Sequence, residues 1–434
     1  MHGQPPEKVQ QRLARMRAGF CALLLILLLG VTAMLAVGGR PDPAGPWLSL
    51  DGPWRFKAGD VPGGAEPATD DSNWDRITLV SRPGSHDEDV GIPGYLDGWR
   101  AQGHADLQGY GWYRRPVTWP AGDFVLVGPP ATDDGYEMFW NGRPLGGAGL
   151  LPGPNASATR PFMARLPHAS AEQPALLAIR AFMQPGLGRD LHSGGLRTVP
   201  VLAPAADGEA LYQAQWRRTI AGYVVDAAEP VAMWVLAILA WVMAPALARP
   251  GFARWAAAAL VATGGVRVGN AVIAWTDLLS LPTLLWLNGL VWAPFAKLAW
   301  ALAWNQWCDG RDRRFVSAAA FAAWAVLIAG ELAHAKPLAG AGRAIFAACL
   351  LATALRILRH GGHKPLALAS MVLTATGLFA ADLSALGIPG IWFPFNIGVS
   401  RSQFALGLVL PLLAFAILRG PSEAVRPAAR RSAP

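Results

Sequence analysis

VVDAAEPVAMWVLAILAWVMAPAL, residues 224–247, is the first of a series of long apolar runs that fill the second half of the chain. The others are 252–273, 278–304, 315–330, 340–355, 366–386 and 404–418. A helix needs about 20 mostly apolar residues to cross a bilayer. Unpaired backbone groups are not tolerated in lipid, so a helical bundle is the expected form of residues 219–418. The reading is seven spans.

Loop charge sets the orientation. Lys8, Arg12, Arg15 and Arg17 precede an apolar run at 20–37, which places the N-terminus inside. Alternate loops of the bundle then carry Arg249 and Arg254; Arg311, Arg313 and Arg314; Arg356, Arg359 and Lys364; and, in the tail, Arg419, Arg426, Arg430 and Arg431. The intervening loops hold little beyond Lys336. Removing any one span would break this alternation.

The chain has 434 residues, 53% hydrophobic and 15% charged, with a net charge of +8. The hydrophobicity is concentrated in one half, so one membrane unit and one soluble unit are expected. The basic excess sits mainly in the inner loops. It fits orientation and anionic lipid rather than nucleic acid, for which no motif accompanies the charge. The cysteines are Cys21, Cys308 and Cys349. None falls in the soluble stretch, which therefore has no internal disulfide.

Residues 1–19 read as a basic cytoplasmic leader and 20–38 as an anchor or a signal sequence. A small-x-small site at Ala36–Val37–Gly38 allows cleavage. The apolar run exceeds the usual secretory core of about 7–15 residues, which favours the anchor. Either way, residues 40–210 are exported. That stretch is rich in Gly, Pro, Asp and Trp. It contains alternating segments around Trp54–Lys57, Trp112–Trp119 and Leu176–Phe182. Tyr136–Trp140 leads into Asn141–Gly142, a strong two-residue hairpin signal. Short strands between Gly/Pro turns predict an antiparallel β-sandwich.

Certain of these residues carry a resemblance. Trp54 and Phe56, Asp71 and Trp74, Gly111–Trp112–Tyr113–Arg114, Asn141–Gly142 with Gly146, and Gly194–Gly195–Leu196 follow in order across 47–202. Together with the spans, this segment resembles the bacterial seven-transmembrane receptors with diverse intracellular signalling modules. The resemblance implies a periplasmic jelly-roll sensor, similar to the galactose-binding-like sandwich of certain glycoside hydrolases, above a seven-helix domain in the inner membrane. It implies a small-molecule or glycan ligand. Family members continue into an output module, whereas here residues 419–434 follow the last span, so a separate cytoplasmic or membrane signalling partner is expected. A membrane enzyme, transporter or scaffold in envelope glycan or lipid handling is the alternative.

Candidate ligand residues are Trp112, Tyr113, Arg114, Trp140 and Asn141: aromatic faces stack on sugars, and a guanidinium binds anions in a bidentate manner. The competing assignment is core packing and a structural ion pair. Asp70 and Asp71, and Asp133 and Asp134, could bind Ca²⁺ with nearby carbonyls, but are assigned to turns and caps, which Asp favours. Within the spans, Arg267 and Asp382 fall at similar depth in the outer half and are expected to pair. Lys297 lies deeper and is expected to snorkel. Neither a catalytic motif nor a metal or cofactor pattern occurs; His360 and His363 sit in a basic inner loop without completing one.

Overall fold

The computed structural model describes residues 6–87, 90–151, 155–157, 160–186, 191–307, 313–360 and 364–419. Cys308, His363, the first five residues of the leader and residues 420–434 of the tail lie outside them. Helix α1 spans Pro6–Gly38. Fourteen strands follow, β1 to β14: Leu48–Ser49, Gly52–Ala58, Asp75–Leu79, Gly109–Trp119, Phe124–Val127, Thr132–Asp133, Gly135–Trp140, Arg143–Ala148, Leu150–Leu151, Asn155–Ala156, Met163–Arg165, Gln173–Met183, Gly195–Leu196 and Val201–Pro204. Helices α2 to α11 then run Ala205–Gly222, Val224–Met243, Pro250–Trp275, Leu281–Trp286, Ala293–Asn305, Arg313–Leu332, Lys336–His360, Lys364–Leu378, Ala380–Ala385 and Arg401–Ile417.

The strands form two main antiparallel sheets, of order β3-β2-β4-β12-β7-β8 and β1-β14-β5-β11. Trp54 and Phe56 of β2, Tyr113 of β4, Tyr136 of β7 and Ile179 of β12 meet Leu126 and Leu202 of the second sheet in one buried cluster. The unit is therefore a β-sandwich. The β7–β8 turn is the expected Asn141–Gly142, with φ of 48° and 79°. Both values suit a type I′ hairpin, which needs two positive φ angles.

In β4 every residue from Gly111 to Arg114 is buried, although strand side chains alternate between faces. Tyr113 faces the sandwich core. Trp112 faces the opposite side and packs with Ala65, Trp74, Phe139 and Ala178. The segment between β2 and β3 folds across that face and covers it.

The second sheet is covered on its outer face by α2. Leu211 packs on Val125, Val127 and Ala203. The closeness depends on Gly208, where a Cβ would fall 2.1 Å from Val125. Packing of the sandwich thus extends beyond the expected boundary at residue 210.

The apolar runs are helical. Among the described residues, five helices, taking α2–α3 as one continuous apolar stretch, are long and apolar enough to cross a membrane: Glu7–Gly38, Ala205–Ala246, Pro250–Trp275, Arg313–Leu332 and Lys336–Arg359. Lys364–Leu378 and Arg401–Ile417 are shorter apolar helices. Leu25, Ile26, Leu28 and Leu29 of α1 and Ile238, Trp241 and Val242 of α3 are exposed. Contiguous apolar exposure of this kind suits lipid rather than water.

The run 278–304 is interrupted by a π-turn, Leu287–Trp292, between α5 and α6. Pro294 follows it and has no N–H to give the carbonyl four residues back, so the regular ladder cannot continue there. The run 366–386 breaks at Phe379 into α9 and α10. Helix α11 begins with a reciprocal cap: Ser400 Oγ accepts from the Gln403 amide at 3.3 Å, and Gln403 Oε1 accepts from the Ser400 amide at 2.6 Å. Helix α1 joins this assembly. Leu13 and Phe20 lie in the same core as Leu236 of α3 and Leu413 of α11.

Candidate functional site

Helix α3 starts at Val224, separated from α2 by Tyr223 alone. Its first turns carry Asp226 and Glu229, three residues apart and hence on one face. That face meets α4 at Arg267. The guanidinium Nη1 is 3.0 Å from Asp226 Oδ1, and Nε is 3.6 Å from Glu229 Oε2. Nη2 donates to Ser402 Oγ of α11 at 2.6 Å. Asn270 and Gln403 also bond to Asp226. The three charged residues are 4–7% exposed, so the charges are held away from solvent and depend on one another.

Asp226, Arg267, Asn270 and Gln403 of this cluster form the floor of a cavity of about 440 Å³ between sandwich and helices, whereas Glu229 and Ser402 do not line it. Thr132, Asp133, Asp134 and Ser157 line it from the sandwich; Asp226, Arg267, Asn270 and Gln403 line it from the helices. Its outer wall is anchored. Asp133 pairs with Arg197 at 3.0 Å and accepts from the Gly194 amide at 2.7 Å. Asp134 Oδ2 accepts from the Gln184 amide at 2.9 Å. A second cavity, of about 350 Å³, includes Asp42, Gln215 and Arg218 in its lining.

Several contacts hold the sandwich over the bundle. Arg160 pairs with Asp277 in the α4–α5 loop. His86 packs edge-on against Phe393, with centroids 4.5 Å apart. Arg218 of α2 donates to the Gly91 carbonyl at 3.1 Å and lies 3.5 Å from Asp42. Gly222, the last residue of α2, sits where a Cβ would be 2.5 Å from Val90.

The expected pairing of Arg267 with Asp382 is corrected by these distances. Asp382, on α10, instead pairs with Arg343 of α8 at 3.0 Å. Helix α4 packs on α3 and α6, so Arg267 faces away from α10. Depth along a span can be read from the sequence, but direction around the bundle cannot. Lys297 of α6 reaches towards the Asp382 group. Its Nζ lies 5.9 Å from the Phe379 ring, and it interacts electrostatically with Asp382, Arg343 and Glu331. The Arg343–Asp382 pair is about a third exposed or more on both sides, unlike the Arg267 cluster, and is the weaker candidate.

The expected sugar-site residues do not form an open site. Trp112 is buried under Gly64, and Trp140 packs at right angles to Trp119, with centroids 5.4 Å apart. Tyr113 is fully buried, which pushes its phenol above the usual range; its oxygen accepts from the Leu196 amide at 3.4 Å. Arg114 Nε lies 3.2 Å from Asp71, and Nη2 donates to the Glu66 carbonyl at 3.1 Å. Burial lowers that guanidinium and Asp71 opposes the shift. Asn141 Oδ1 accepts from the Leu176 amide at 2.7 Å, a turn role. Trp112, Tyr113, Arg114 and Trp140 are thus buried among protein atoms, whereas Asn141 is exposed.

Sequence reasoning passed over Asp226, Glu229 and Arg343. The first two lie just after Tyr223 and look like residues of the interface. The available signal was the pair of carboxylates three apart within an otherwise uncharged span. Arg343 is the one charge in the run 340–355.

No protein-family model matches the chain, and no curated protein matches it. Among solved structures it is similar to a β-glucuronidase of Bacteroides uniformis, with 23% identity, a TM-score of 0.26 and coverage of 36% of this chain and 17% of that one. It is also similar to a family 2 β-galacturonidase of Eisenbergiella tayi, with 16% identity, a TM-score of 0.25 and coverage of 38% and 25%. A β-glycosidase of Bacteroides vulgatus gives 18% identity, a TM-score of 0.25 and coverage of 36% and 20%. The chain spans a quarter or less of the length of these enzymes.

Proposed function

We propose that the chain is a receptor-like protein of a bacterial inner membrane, with a jelly-roll sandwich in the periplasm, seven crossings and both termini inside. It binds a small periplasmic solute or glycan in the junction cavity and passes the change through the helices to a cytoplasmic or membrane signalling partner. One observation carries this reading. The cavity has walls from both units, so a ligand filling it touches sandwich and bundle at once. A ligand shifts a conformational equilibrium only through different affinities for its two states. A site shared by two bodies provides that difference whenever they move relative to one another. Helix α2 supports the same reading, since it lies on the second sheet and continues into α3 through Tyr223 alone.

The orientation is tested with reporter fusions. A reporter placed after Gly361 should report cytoplasm, and one placed between residues 388 and 400 should report periplasm. Swapped signals would remove the seven-span arrangement. The coupling is tested by Gly222→Val, which presses the α2–α3 junction against Val90. The overpacking should cost about 1–3 kcal/mol. Amide exchange should accelerate on both sides of the cavity, near residues 90–98 and in the first turns of α3 and α4. Acceleration confined to one side would mean that the two units do not transmit strain, and the receptor reading would lose its mechanism.

A further inference from the structure

We infer that the second cavity is a separate ligand site, which takes an uncharged, polyhydroxylated solute about the size of a single sugar ring. Its lining residues all lie between Asp42 and Thr219, in the sandwich unit or on α2, and none belongs to α3–α11. It stands apart from the junction cavity, with which it shares Ile92, Pro130 and Thr219 as a common wall. Its volume, about 350 Å³, falls at the small end of the usual range of ~300–1,000 Å³ for small-molecule sites.

The polar groups of the lining suit a hydroxyl better than an ion. The Arg218 side chain is 8% exposed; Nη1 donates to the Gly91 carbonyl at 3.1 Å, and Nη2 lies 3.5 Å from Asp42 Oδ1. That ion pair contains no hydrogen bond, since Asp42 Oδ1 is buried and accepts none. The two charges offset each other, so an incoming ion finds no partner left over. A hydroxyl is donor and acceptor at once: it accepts from the guanidinium and donates to the carboxylate. Asp51 also lines the cavity, but it is exposed, where its charge is screened.

A second buried group points the same way. Thr219 is 6% exposed, and its hydroxyl has no hydrogen-bond partner among the described residues. Buried polar groups are normally partnered, and a ligand hydroxyl would partner this one. Half-buried Trp47 adds apolar ring surface to the same lining, suited to the C–H face of a sugar. Two hydroxyl-binding points and one apolar surface in a small space describe a polyhydroxylated ring.

The test uses the full chain with Cys21, Cys308 and Cys349 changed to alanine and one cysteine introduced at a time. Ser81→Cys reports on the second cavity, Ile273→Cys on the junction cavity and Ser170→Cys on exposed surface. The thiols react with methyl methanethiosulfonate, which is uncharged. The probes are D-glucose, D-galactose and D-mannose, with D-glucuronate and D-glucosamine as charged analogues. At least one uncharged sugar should slow labelling of Ser81→Cys several-fold and leave the other two reporters unchanged, and the charged analogues should protect less. Thr219→Val, or Asp42→Asn if the first variant fails to fold, should remove most of that protection, while Thr219→Ser should keep it.

The failures are separable. Protection by none of the three uncharged sugars overturns the inference, as does better protection by either charged analogue. Protection of Ile273→Cys alone places the sugar in the junction cavity, which supports the receptor reading and overturns the separate site; protection of both cavity reporters also overturns it. Equal slowing at all three positions is a bulk effect of the sugar and overturns it too. A Ser81→Cys thiol that does not react without sugar means that solutes do not enter the second cavity, and the inference falls while the junction cavity is unaffected.

Discussion

Arg267→Ala should sharply lower the amount of folded protein recovered from membranes and its melting temperature in detergent. The substitution leaves Asp226 and Glu229 buried side by side without their common partner. Removing one member of a buried ion pair typically costs about 3–5 kcal/mol, because the remaining charge has lost both water and its counter-ion. Replacing the whole cluster should be far milder: Arg267→Met with Asp226→Asn and Glu229→Gln leaves no isolated charge. A double-mutant cycle separates this cluster from the other pair. Arg267 and Asp226 should couple by about 1 kcal/mol or more, whereas Arg267 and Asp382 should be additive within about 0.5 kcal/mol. An Arg267→Ala protein with unchanged yield and melting temperature would show that the bundle does not depend on the cluster.

Gly195→Ala should disrupt the sandwich and, through it, the outer wall of the cavity. Gly195 has φ of 72°, and an added Cβ would sit 2.1 Å from the Tyr113 oxygen and 2.5 Å from the Trp99 ring. Trp99 and Tyr113 are fully buried and have nowhere to move. The left-handed backbone costs roughly 1–2 kcal/mol for a residue with a Cβ. Overpacking adds about 1–3 kcal/mol. Gly195 also pairs with Asp133 across β13 and β6, so the displacement reaches the cavity lining. Gly186→Ala is the control. Its φ is 82°, but nothing lies within 4 Å of the added carbon, so only the backbone cost remains. Thermal unfolding followed by tryptophan fluorescence compares the two variants. Equal losses would mean that Tyr113 and Trp99 accommodate the methyl group, and the argument from close packing would be wrong.

Those two substitutions sit on opposite sides of what can be read without coordinates. Gly195 was legible as part of a Gly-Gly-Leu closing segment, but not as the residue on which Trp99 and Tyr113 rest. The helices, the strand-rich stretch and the Asn141–Gly142 hairpin were legible because each depends on local composition. A run such as 224–247 must be helical to satisfy its own backbone if it lies in lipid, whatever packs beside it. The alternation of β2 similarly follows from one covered face.

What the sequence by itself determined is therefore the division of the chain into apolar helices and a β-rich unit. Tertiary structure alone decided which charges meet. Arg267 turned to Asp226 and Glu229 because α4 packs on α3, and Asp382 turned to Arg343 on α8. It also decided that Trp112 and Arg114 are covered, because a segment distant in sequence lies across their face. A local pattern specifies which groups must be buried or paired; the choice of partner is made by helix rotation and sheet packing, which arise only from contacts between distant parts of the chain.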